Sequence, residues 1–333
     1  MIIAAVLTFI LSAAFGPIIL PWLRRLKFGQ SILEIGPSWH KTKQGTPTVG
    51  GVIFIIPIIL ITVILSAKSI FSGDLRALYS IIFVILCGAI GFIDDYTKIT
   101  KKHNQGLTVR QKTVLLAGAI TLYIAAMSLS GYITTDLFIP YFNVSLPLSY
   151  FYYVIMIAFL FFFVNSVNLT DGLDGLATSV TIPYVVAFCF VALIFNEAGK
   201  GNMAVAVLSA STVGGLFGFL IYNFHPAKVF MGDTGSLFLG GLVVALAMCY
   251  DKPYFILIGG IVYLIEGLSV VLQVGYFKLT HGKRLFKMAP IHHHFEMCKW
   301  TEVVIVLVFT LVSLIASALA LWGIIYQGLY FIK

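Results

Sequence analysis

Residues 150–168, YFYYVIMIAFLFFFVNSVN, form an apolar run without a charged side chain, long enough to cross a hydrocarbon layer of about 30 Å as a helix. Its end overlaps NSVNLTDGLDGLA, residues 165–177, where two aspartates and two glycines interrupt the hydrophobicity. The same succession of apolar crossing and connecting loop extends in both directions. Upstream, residues 1–22, 49–67, 76–93 and 113–130 read as further crossings, and downstream 176–195, 203–222, 236–250, 254–277 and 302–331 do so. The reading is an all-α polytopic membrane protein of about ten transmembrane helices, with residues 1–333 as a single integral-membrane domain. A chain that is 60% hydrophobic and only 10% charged is too apolar for a water-soluble domain of this length.

The first run lacks a basic leader and a small-residue cleavage site and ends in Pro21, Trp22, Arg24 and Arg25, so it reads as a retained helix rather than a signal peptide. Residues 131–148, with Asp136, Pro140, Asn143 and Pro147, are the longest outer connection and suit a short hairpin. Cys87, Cys189, Cys249 and Cys298 are scattered singly, which fits packing and gives neither a disulfide framework nor a metal knuckle.

The net charge of +8 does not point to nucleic acid, because the charges follow the crossings. Of the 21 Lys and Arg residues, 16 fall in one set of alternate loops, and the other set holds Lys68, Arg76, Lys200, Lys252 and Lys333. By the positive-inside rule the richer set is cytoplasmic, which places both termini on the outer, periplasmic face. Those inner loops are also the polar ones, with Gly, Pro, His and Asp, so the chemistry is expected there, where they meet the inner helix ends.

Eight of the 13 carboxylates lie in or beside the inner loops: Glu34, Asp94, Asp95, Asp171, Asp174, Asp233, Glu296 and Glu302. Asp94 and Asp95 close a crossing in GFIDDYTK, where two adjacent carboxylates repel each other and need a cation or a basic side chain. Asp171 and Asp174 are three apart, on one face of a helical turn, in a loop without Lys or Arg. They need either a metal or basic groups from neighbouring loops. Asp233, in NFHPAKVFMGDTGS, precedes an apolar run and fits either a helix N-cap or a ligand role. Five aspartates from three loops, without cysteine, suit Mg²⁺ better than zinc, and Mg²⁺ reserves positions for phosphate oxygens.

Positive charge for a phosphorylated substrate is present in Lys41 and Lys43 of GPSWHKTKQGTPTVGG and in Lys98, Lys101, Lys102, Arg110 and Lys112. Thr46, Thr48 and the glycines around them add hydroxyls and bare amides. The last inner loop carries MAPIHHHFEMCKW. Its consecutive His292, His293 and His294 point in different directions, which favours hydrogen bonding to phosphate or nucleotide over zinc. Glu266, within an apolar run and seven residues before Gln273, marks a helix break or a water-filled groove.

Together GFIDDYTK, NLTDGLDG and MGDTGS resemble the three acidic motifs of the polyprenyl-phosphate N-acetylhexosamine-1-phosphate transferase superfamily. KTKQGTPTVGG and PIHHHFE are similar to features of its branch acting on N-acetylmuramoyl-pentapeptide, with Val49 where that branch usually has Met. The likeness covers essentially the whole chain. It implies a phosphoglycosyl transferase of the bacterial inner membrane, facing the cytoplasm, that moves phospho-N-acetylmuramoyl-pentapeptide from UDP-MurNAc-pentapeptide to undecaprenyl phosphate. The products would be lipid I and UMP, Mg²⁺ the cofactor, and a homodimer the assembly.

Carried over residue by residue, the resemblance assigns Asp94, Asp95, Asp233 and His292 to catalysis, and Mg²⁺ to Asp233 with help from Asp94 and Asp95. It assigns Lys43, Thr48, Asn168, Asp171, Asp174, Asn223, Phe230, Gln273, Ala289, His293 and His294 to uridine, diphosphate and sugar-peptide. Lys98, Arg110 and Lys112 fall to the lipid phosphate. Two other readings stand beside it: a sister transferase acting on UDP-N-acetylglucosamine, and an ion-coupled transporter using Glu266 and the aspartates. The PIHHHFE loop argues against the first, and the absence of a visible repeat against the second.

Overall fold

A computed structural model describes residues 1–25, 43, 45–70, 73–100, 106–139, 142 and 144–331; Glu34, Lys41, Lys101 and Lys102 lie outside the described residues. In chain order the elements are α1 (Ile2–Arg25), α2 (Val52–Ile70), α3 (Arg76–Thr100), α4 (Val109–Leu129), β1 (Asp136–Ile139) and β2 (Val144–Pro147). They continue with α5 (Phe151–Thr170), α6 (Leu176–Glu197), α7 (Met203–Asn223), α8 (Gly232–Met248), α9 (Pro253–Gly259), α10 (Ile261–Leu279), α11 (Ile291–Met297) and α12 (Glu302–Phe331).

Among the described residues, nine helices are long and apolar enough to cross a membrane. The tenth expected crossing, 236–250, is α8, which begins four residues earlier and has only 17 residues. The expected crossing 254–277 is two helices, α9 and α10, divided at Gly260. Apolar side chains such as Val114, Leu122 and Val154 are about 70% exposed on the outside of the bundle, as suits a surface whose solvent is lipid. Buried hydroxyls return their protons to the helix itself: Thr8 donates to the Ala4 carbonyl, Thr170 to Ser166 and Thr212 to Leu208, each at 2.8 Å.

α8 is the axis of the fold. Every residue from Thr234 to Met248 is buried, so its sequence is apolar around the whole circumference. Glycines let its neighbours come close. A Cβ on Gly240 would lie 2.7 Å from the Val164 carbonyl of α5, and one on Gly91 of α3 would overlap the Asp233 carbonyl. α1 meets α7 in the same manner, with Ser12 donating to the Gly215 carbonyl at 3.0 Å.

On the face opposite the acidic loops, β1 and β2 pair antiparallel with Asp136 opposite Pro147, the expected short hairpin. Asp251 anchors its base, accepting from the Thr134 amide at 3.0 Å and hydroxyl at 2.7 Å. The four cysteines are free, and Cys87 and Cys249 are buried packing residues.

Candidate active site

Two chain crossings assemble the site. The segment 47–51 lies against 230–231, with the Phe230 amide donating to Pro47 and the Gly50 and Gly51 amides to Phe230 and Met231, at 2.9–3.0 Å. This lodges Thr48 against Gly232, where a Cβ would lie 2.6 Å from both Thr48 Oγ1 and Asp95 Oδ2. Gly232 has a φ of +69°, open to glycine at no steric cost. Glycine is therefore dictated there twice, by conformation and by space.

The N-terminus of α8 is not capped by Asp233. Its amides are received by Asp95 from α3: the Asp233 amide at 3.2 Å and the Thr234 amide at 2.9 Å, with the Thr234 hydroxyl at 2.7 Å. A carboxylate suits that helix end, where unpaired amides and the helix dipole concentrate positive potential. Asp233, one residue into the helix, is thereby left with its carboxylate facing Asp94 and Asp95. Single oxygens of the three lie within 4.8 Å of one another.

Asn168 orients Asp233, donating to its Oδ1 at 2.8 Å while also donating to Ser236 Oγ at 2.7 Å. Lys98 bridges Asp94 (2.6 Å) and Asp233 (2.7 Å), and Lys112 reaches Asp233 at 3.1 Å. Asp94 also accepts the Leu107 amide at 2.8 Å. Arg110 lies exposed on the first turn of α4 and makes no ion pair with these aspartates.

In the turn after α5, burial, and then the negative charges of Asp233, Asp95 and Asp174, push the Asp171 carboxyl well above the usual range. A hard divalent cation matches the all-oxygen donor set of Asp94, Asp95 and Asp233.

Asp174 instead meets Lys43 at 2.7 Å, the basic partner from another loop that its sequence context required. Lys43 also pairs with Glu302 at 2.7 Å, and Asp174 accepts from the Ala227 amide at 3.0 Å and lies 2.9 Å from His225 Nδ1. A cavity of about 360 Å³ opens beside this group, lined by His225, Glu296, Trp300 and Glu302 among others. Replacing Lys43 by Met removes the cation that two largely buried carboxylates, Asp174 and Glu302, share. It is expected to cost about 3 kcal/mol of stability, read by thermal unfolding in detergent, and to weaken uridine-nucleotide binding by at least about tenfold, read by calorimetry. Unchanged binding would remove Lys43 from the site.

The three histidines do point three ways. His292 lies 2.9 Å from Glu266 Oε2, His293 lies 2.6 Å from Glu296, and His294 Nδ1 accepts the Lys287 amide at 3.1 Å. Gln273 is occupied with the loop before them, accepting the Leu285 and Phe286 amides at 3.1 and 2.8 Å. Asn223 is buried, bonded to the Thr178 hydroxyl and the Val229 carbonyl. Phe230 is half-buried, as is Ala289 on the approach to α11. Two participants were not expected from sequence, His225 and Glu302; the only signal for either was its place in a polar inner loop.

Residues 77–251 match the model of glycosyl transferase family 4. The phospho-N-acetylmuramoyl-pentapeptide-transferase of Staphylococcus carnosus (strain TM300) is 44% identical over 96% of this chain and 98% of its own length. The chain belongs to the phospho-N-acetylmuramoyl-pentapeptide-transferase family. Enzymes of the same name from Clostridium botulinum (strain Alaska E43 / Type E3) and Staphylococcus aureus (strain Newman) are 46% and 42% identical, over 94% and 96% of this chain and 93% and 97% of theirs. As a family member with nine membrane-length apolar helices among its described residues, the chain is a multi-pass protein of the bacterial cell membrane.

Proposed function

We propose that the chain transfers phospho-N-acetylmuramoyl-pentapeptide from its UDP conjugate to undecaprenyl phosphate, releasing UMP and leaving lipid I in the membrane. The observation that carries the reading is the meeting of Asp94, Asp95 and Asp233 with Lys98 and Lys112 at one end of α3 and α8. An oxygen of the lipid phosphate attacks the sugar-bearing phosphorus, the new P–O bond forms there, and the bond to the bridging oxygen of UMP breaks. Such a transfer depends mainly on positioning and charge.

Lys98 and Lys112 would hold phosphate oxygens, and Asp94 would take the residual proton of the lipid phosphate or steer its oxygen. Asp233, with Asp94 beside it, would hold Mg²⁺; when bound, that ion neutralises charge on the departing nucleotide. Lys43, Asp174 and Phe230 would take the nucleotide and its sugar-peptide, with His292 and His293 contributing from α11.

The proposal includes a cytoplasmic site, periplasmic termini and a homodimer, each with its own test: labelling of cysteines introduced at either end of the helices, and cross-linking in native membranes. The principal experiment measures UMP release by the purified protein with undecaprenyl phosphate and UDP-MurNAc-pentapeptide. Release requiring both the lipid and Mg²⁺ is the expected result. Turnover of UDP-N-acetylglucosamine in its place would move the chain to the sister activity, and no turnover of either by folded protein would refute the reading.

A further inference from the structure

α10 carries a single carboxylate, Glu266, and it is fully buried. An ionisable group within an apolar crossing is costly, and its partner tells what holds it there. That partner is His292, also fully buried, whose Nδ1 lies 2.9 Å from Glu266 Oε2. His292 Nε2, on the other side of the ring, has no hydrogen-bond partner among the described residues, and neither has Glu266 Oε1.

The free nitrogen has a defined direction. A Cβ on Gly172 would overlap His292 Nε2, so the ring fills the space where any other residue would carry a side chain. Gly172 is exposed and stands between Asp171 and Leu173, in the turn from which Asp174 reaches Lys43. The imidazole is therefore gripped from behind by α10 and set edge-on against the turn that carries Asp171 and Asp174. His293 and His294 have no such arrangement: one pairs with Glu296 on its own short helix, and the other receives a loop amide.

We propose that Glu266 is a positioning residue for the transferase reaction: it holds His292 through Nδ1 and so presents Nε2, across Gly172, to the phosphate-bearing substrate. A carboxylate that accepts from Nδ1 fixes both the tautomer and the ring orientation, the task a buried aspartate performs for histidine in hydrolytic triads. Glu266 itself touches no substrate, so its effect runs wholly through His292. Gly172 serves the same end from the other side, as the gap that lets Nε2 reach the turn.

The inference rests on the transferase reading, and its test separates the two. Glu266→Gln is expected to lower kcat about 10- to 100-fold, the range typical when an orienting partner of a functional histidine is removed, with KM for the nucleotide little changed. The double variant Glu266→Gln/His292→Asn should be no slower than His292→Asn alone, because both changes interrupt one path. In ¹⁵N-histidine-labelled protein, the ring signals that disappear in His292→Asn should shift in Glu266→Gln.

Full kcat in Glu266→Gln, or multiplicative losses in the double variant, would overturn the proposal. If Glu266→Gln does not fold, Gly172→Ala takes its place, since it displaces the same ring from the exposed turn. It should lower kcat by a similar factor and likewise add nothing to His292→Asn; normal turnover would overturn the proposal. A parent protein that is inert with both nucleotide sugars would refute the transferase reading alone. In that case unshifted His292 ring signals in Glu266→Gln would refute the Glu266–His292 coupling on their own.

Discussion

Asp233→Asn is expected to lower kcat for UMP release by about 10³-fold while the protein remains folded. The amide has the shape of the carboxylate and keeps an oxygen for Asn168, so the packing of α8 is undisturbed. What it lacks is charge. A divalent cation loses a charged oxygen donor, and Lys98 and Lys112 lose the carboxylate they share. Two measurements check this: single-turnover release of UMP at saturating Mg²⁺, and Mn²⁺ binding followed by electron paramagnetic resonance, which should weaken at least about tenfold. Activity within tenfold of the parent would show that Asp233 is not central to the reaction.

The second large effect is expected from a single methyl group. In Gly91→Ala the added carbon would overlap the Asp233 carbonyl and lie 2.7 Å from the Thr234 amide nitrogen, both backbone atoms that no rotamer change can move aside. α3 and α8 must separate where Asp95 receives the first amides of α8. Overpacking of this kind costs about 3 kcal/mol, and a displacement near 1 Å in a catalytic constellation costs about 10²-fold in rate. Gly88→Ala is the control. One turn earlier on the same helix face, its Cβ would make ordinary 3.4 Å contact with Phe238, so melting temperature and turnover should stay close to the parent values. Equal behaviour of the two variants would contradict the close approach at Gly91.

The reach of the sequence can be judged from particular residues. Hydropathy located the long crossings because a run of 18 or more apolar residues has few alternatives. It missed the division at Gly260, since residues 254–277 are apolar on both sides of the break. It also began α8 four residues late, because Gly-Asp-Thr-Gly reads as a loop. What makes those residues helical is the capping carboxylate of Asp95, 138 positions upstream, and no local pattern encodes such a partner.

The same limit applies to the site. The need of Asp171 and Asp174 for partners from other loops was legible from the absence of Lys and Arg around them. That Asp174 would find its partner in Lys43, 131 positions upstream, was not, because no local pattern names so distant a partner. Glu266 announced itself as a lone carboxylate in an apolar run. Its partner 26 residues away became visible only with the chain folded.

The shortness of α8 sets the depth at which the chemistry occurs. Seventeen residues rise about 25 Å, less than the roughly 30 Å of a hydrocarbon layer, and neighbouring helices shield this segment so that lipid need not thin around it. α3 runs on past Asp94 and Asp95 to Thr100, so Asp233, at the first turn of α8, lies short of the end of that neighbour. A polyprenyl phosphate drifting in the bilayer already holds its headgroup near that level. The acceptor can be met in its resting position, with its long tail never drawn into water, and the soluble donor makes the descent.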